Sequence, residues 1–137
     1  MILTRLPNWR PRLDAYLDWL DGQTFDWAEI SCGLFAAGCV QAVTNVDFAE
    51  PFRGKVKDAK SAQRALLKAG YKTVADLAAD RLEEDHPSKL QMGDIASVML
   101  DSGPTLYLVS GSFLTGMGER GKVFLPLTSA DRGFRVG

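Results

Sequence analysis

The chain has 137 residues, enough for one domain with a buried core and too few for two of ordinary size. Sixteen basic and 17 acidic residues leave a formal charge of -1 with no long block of either sign, so the balance points to neither nucleic acid nor an anionic membrane as partner. Two cysteines, one histidine and no Cys-x-x-Cys argue against a disulfide framework, a metal site or any cofactor held by such ligands.

The N-terminal Met1-Ile2-Leu3-Thr4-Arg5-Leu6-Pro7 is apolar but lacks a signal peptide's charged start and long apolar middle. No stretch approaches the roughly 18 apolar residues of a membrane span. The expectation is a soluble chain without membrane insertion, made in a cytoplasm. Residues 9–21 carry Leu13, Tyr16, Leu17 and Leu20 at helical spacing, with Asn8 as candidate N-cap and Gly22 as stop. After a loop over 22–30, the run 31–44 is apolar on nearly every side, with Ser31 placed to cap its start and Asn45 its end. Such a helix is central, and Ala36, Ala37 and Gly38 would let another element, such as a sheet, approach it closely. Residues 47–54 read as an irregular connection anchored by Phe48 and Phe52.

A third helix is expected over 58–69, facing inward through Ala62, Ala65, Leu66 and Ala69 and ending at Gly70. Thr73 and Asp76 form a capping-box pattern that opens a fourth helix to about Leu82. The acidic Glu83-Glu84-Asp85 before His86-Pro87 reads as a solvated loop. From Met92 the pattern changes to short alternating segments at 94–100, 105–110, 112–115, 121–126 and 133–136, broken at 101–104, Gly111, 116–118 and 129–131. Helices first and hairpin-linked strands after them define an α+β fold, N-terminal helices packed on a C-terminal antiparallel sheet. The expectation is a single domain, 1–137, with a helical half 8–90 and a sheet half 92–137.

The residue that invites a chemical reading is Cys32, at the first turn of the apolar helix. Free backbone N–H groups and the positive end of the helix dipole favour a thiolate there, as a nucleophile requires. Burial as a small hydrophobe is the competing reading. Cys39 lies seven residues on in the same helix, about 10 Å away and too far for a disulfide.

An aromatic approach at Phe25-Asp26-Trp27-Ala28, then Ser31-Cys32-Gly33-Leu34-Phe35, then Gly93-Asp94-Ile95 at the start of the sheet resembles the motif order of NlpC-type, papain-like cell-wall endopeptidases. The chain is similar, more closely still, to a small family encoded by phages and prophages and related to those peptidases. In that family Cys-x-x-Phe-Ala-Ala, Phe-Arg-Gly, Pro-Leu and a terminal Arg-Val-Gly recur, and they stand here at Cys32–Ala37, Phe52–Gly54, Pro126-Leu127 and Arg135–Gly137. The resemblance implies papain-like, NlpC-type topology, with Cys32 as candidate nucleophile. It makes Asp94 a structural residue at the head of a strand more than a catalytic one. Trp27, Ser31 and Tyr107 would border the pocket, Tyr107 filling the groove from the strand facing the helix.

Two departures weigh against chemistry. The aspartate usual before the cysteine is Ser31, and the histidine of the second sheet strand is missing, since Thr105 precedes Leu106-Tyr107-Leu108. His86 is the remaining imidazole, and it could serve only if the helix–sheet connection folded over Cys32. General acid–base assistance is worth on the order of 10² to 10⁴ in rate, so a site without it is a poor peptidase. The resemblance therefore implies a tail-tip component of the virion, largely structural, with other phage tail proteins as partners. The alternatives are an active peptidoglycan endopeptidase acting through Cys32 on wall peptide, and a cytoplasmic binding or regulatory module.

Overall fold

The computed structural model describes residues 3–137; Met1 and Ile2, the start of the apolar N-terminal segment, lie outside the described residues. Four helices come first: α1 Trp9–Leu20, α2 Cys32–Thr44, α3 Ala59–Lys68 and α4 Val74–Arg81. Six strands follow: β1 Glu83–Asp85, β2 Ile95–Leu100, β3 Gly103–Val109, β4 Phe113–Gly118, β5 Gly121–Pro126 and β6 Arg132–Arg135. They form one antiparallel sheet in the order β1-β6-β2-β3-β4-β5. The fold is α+β, as the order of patterns implied. Among the described residues no helix is long and apolar enough to cross a membrane.

Local chemistry explains where the helices begin. Ser31 accepts the Leu34 N–H at the start of α2, and Thr73 and Asp76 cap α4 reciprocally. Asp58 and Ser61 form a second capping box at α3. Asn8 precedes α1 without a side-chain cap. Asn45 ends α2 in the left-handed conformation, where a short polar side chain costs little. Arg12 of α1 adds to that end, its guanidinium donating to the carbonyls of Gln41 and Ala42.

Period-two alternation splits the sheet into two apolar faces. Ile95, Leu106, Leu108, Met117 and Phe134 pack with Leu34, Phe35, Val40 and Val43 of α2 and Leu77 of α4 in the main core. Ala96, Val98, Tyr107, Val109 and Leu114 face the other way and gather with Leu90 in a smaller cluster. Tyr107 therefore stands on the face away from the helices, contrary to its expected place in the groove beside Cys32. Its ring lies over Gly116, where an added Cβ would come within 2.5 Å of it. This also corrects the expected break at 116–118. Gly116 provides room for a ring, β4 runs on to Gly118, and the chain turns at Glu119-Arg120.

Two further expectations change. Glu83-Glu84-Asp85 is the edge strand β1, not a loop, because β6 sets arginines against it: Arg132 pairs with Glu84 and Arg135 with Asp85. Charged side chains also blunt an edge against unwanted pairing. Gly38 admits α1 rather than the sheet, since a Cβ there would strike the Tyr16 hydroxyl at 2.1 Å. Tyr16 in turn stacks on Phe35.

Candidate functional site around Cys32

Two pieces of the chain hold the head of α2, where Cys32 stands. The loop before α2 is closed by Asp26, which accepts the Ala28 N–H and bridges to Ile30. Arg53, from the connection after α2, donates to the Glu29 and Leu34 carbonyls and pairs with Asp47 at 2.5 Å. Gly54, at φ 74°, brings its N–H onto the Ala28 carbonyl at 2.9 Å. The Phe52-Arg53-Gly54 motif is thus a clamp that sets the head of α2.

Cys32 opens onto a cavity of about 190 Å³. Its walls are Trp27, Phe52, Val56, Leu66, Val74, Leu77 and Pro104, and the polar side chains that reach it are Ser31, Gln63, Thr73 and Ser102. Among the described residues, no histidine, aspartate or glutamate lines it. Burial pushes the Cys32 thiol up, and backbone N–H groups of Leu106, Gly33 and Cys32 itself oppose that shift without overcoming it. The helix N-terminus does favour a thiolate as expected, but desolvation is the larger effect. Cys39 is fully buried and pushed up by the same cause.

The other sequence candidates lie elsewhere. His86 is exposed; its Nδ1 sits 2.8 Å from Ser88 Oγ at the start of the 3-10 turn Pro87–Lys89. It adjoins β1, three strands from β3, so a gap of about 14 Å of sheet separates it from the strand beside Cys32. It is not the missing base. Asp94 is 1% exposed and fully engaged: Oδ1 accepts from Arg5 at 3.0 Å and from the Val136 N–H at 2.9 Å, and Oδ2 accepts the Gln91 N–H at 2.8 Å. Its role is structural. Arg5 completes the clasp by donating to the Met92 and Val136 carbonyls, joining the N-terminal segment, the start of β2 and the end of the chain. Trp27 and Ser31 do border the cavity, Trp27 edge-on to Phe25.

The contribution of α3 to the cavity was not anticipated. Its apolar positions, expected to be core, are at most half-buried, and none of its residues is fully buried. The space beneath it is the cavity.

The raised thiols have a measurable consequence. At pH 8, Cys32 should react with iodoacetamide at least tenfold more slowly than cysteine in an unfolded peptide, its rate still climbing above pH 9; parity at pH 8 would contradict the assignment. Stability should fall in the same range. Above about pH 8.5 the unfolded chain loses both thiol protons while the native chain keeps them, at about 1.4 kcal/mol per pH unit for each thiol.

Helices on one face of an antiparallel sheet, a cysteine heading the central helix and an apolar cavity beside it define an α+β domain with one candidate site. The chain belongs to the family described as Domain of unknown function (DUF6950), which it matches over residues 4–136. No curated protein matches it.

Proposed function

We propose that the chain is a tail-tip component of a phage virion, an NlpC-like, papain-type topology kept for assembly with a degenerate peptidase site. The observation that carries this reading is the lining of the Cys32 cavity, whose described residues offer no imidazole or carboxylate to take the thiol proton or return one to a leaving amine. The raised thiol and the distant, exposed His86 agree with it. Exposed apolar side chains supply surface for neighbouring tail proteins. Phe113 and Phe124, 43% and 60% exposed, meet edge to face on the last hairpin, beside the free edge of β5.

The virion placement comes from the recurring motifs, and its test is direct. Virions purified from a host carrying the gene should contain the protein at a fixed ratio to the other tail proteins. Absence from virions, with the protein recovered in the cell lysate, would replace this reading with the cytoplasmic binding module. The peptidase reading draws on one specific observation, the opening of Cys32 onto a cavity at the head of α2. It requires slow chemistry without an imidazole.

A further inference from the structure

The near-neutral total conceals a strong local polarity. Residues 55–72 hold Lys55, Lys57, Lys60, Arg64, Lys68 and Lys72 against the single acid Asp58, a net of +5, which leaves -6 for the rest of the chain. All six cations are exposed, and among the described residues none is ion-paired. Asp58 is committed to capping α3. Lys60, Arg64 and Lys68 follow one another at i, i+4 and i+8, a stripe about 12 Å long, and Lys57 lies just before the helix. Lys68 in the last turn complements the helix dipole, but like charges at that spacing otherwise destabilise a helix.

One exposed apolar side chain flanks the stripe. Leu67, 55% exposed, lies next to it on the helix surface, and the opposite side of α3 roofs the Cys32 cavity. We propose that α3 is the docking surface for an acidic segment of a partner protein, which runs along the stripe and anchors an apolar side chain at Leu67. Charge complementarity selects the acidic partner. The apolar flank at Leu67 selects a protein over nucleic acid, which has no group for it and finds no aromatic side chain on the stripe for base stacking. The negative remainder of the chain disfavours any partner whose charge extends beyond one helix, a nucleic acid or an anionic bilayer included. This deepens the assembly reading and rests on it only for the partner being a virion protein.

The test uses the full chain and a labelled glutamate-rich peptide of about 12 residues with one central leucine, followed by fluorescence anisotropy. Binding should saturate and weaken several-fold between about 50 and 300 mM salt. It should fall about tenfold or more in Lys60→Glu/Arg64→Glu/Lys68→Glu, and several-fold when serine replaces the peptide's leucine. Arg120→Glu, on the β4–β5 turn, should leave it unchanged, and circular dichroism should show the triple variant folded. Equal binding by wild type and triple variant would overturn the proposal. So would tighter binding to a short DNA duplex or to phosphatidylglycerol vesicles than to the peptide. Absence from virions with peptide binding intact would remove the tail placement alone.

Discussion

Replacing Asp94 with alanine is expected to cost the fold about 3 to 5 kcal/mol, a large share of the roughly 5–15 kcal/mol that stabilises a domain of this size. The carboxylate accepts the Val136 and Gln91 N–H groups and pairs with Arg5. Alanine would leave the buried Val136 N–H without an acceptor and Arg5 without its counter-charge. The Asp94→Asn change would keep one acceptor oxygen and lose the charge, for about 1–2 kcal/mol. Urea denaturation checks both; a midpoint shift in Asp94→Ala equivalent to less than about 1 kcal/mol would mean that the three segments meeting at Asp94 are held by packing alone.

Arg53→Ala should be the second large loss, about 2 kcal/mol, because one planar guanidinium serves Asp47, the Glu29 carbonyl of the loop before α2 and the Leu34 carbonyl of its first turn. Lysine should restore little of it, since a single ammonium cannot reach three acceptors in that fork geometry. The loss should also be felt at the site. With the loop before α2 released, Cys32 should alkylate several-fold faster at pH 8 than in the wild-type chain. Faster unfolding with unchanged Cys32 reactivity in the native state would show that the clamp stabilises the fold without positioning the thiol.

Much of this architecture was legible because it is written in local chemistry. Ser31, Thr73 and Asp76 announce helix starts through side chains that cap backbone N–H groups a few residues away. The switch from helical to alternating periodicity at Met92 marks the sheet half. Asp94 was readable as structural, although its partners at positions 5 and 136 were not, since nothing local connects them. What escaped depends on register. The parity of β3 decides whether Tyr107 or Leu106 faces α2, and only pairing with β2 and β4 fixes it. Glu83–Asp85 was unreadable as a strand for a similar reason: its stabilising arginines lie some 50 residues later in β6.

The candidate site was half legible. The cysteine, its capping serine and Trp27 were all visible in sequence, as was the absence of a nearby histidine. The cavity was not, because it exists only where α3 stands off the core, and a period of 3.6 predicts a face without predicting how far it is buried. The basic stripe was hidden differently. Its cations are separated by two or three other residues in sequence and become continuous only on a helix.

The central proposal is that this fold serves assembly without hydrolysing. Incubation of purified peptidoglycan with wild-type protein and with Cys32→Ser, followed by mass spectrometry of released peptides, tests it most directly. The account predicts no release above buffer by either protein. Fragments released by the wild type and lost in Cys32→Ser would contradict it and establish Cys32 as a working nucleophile.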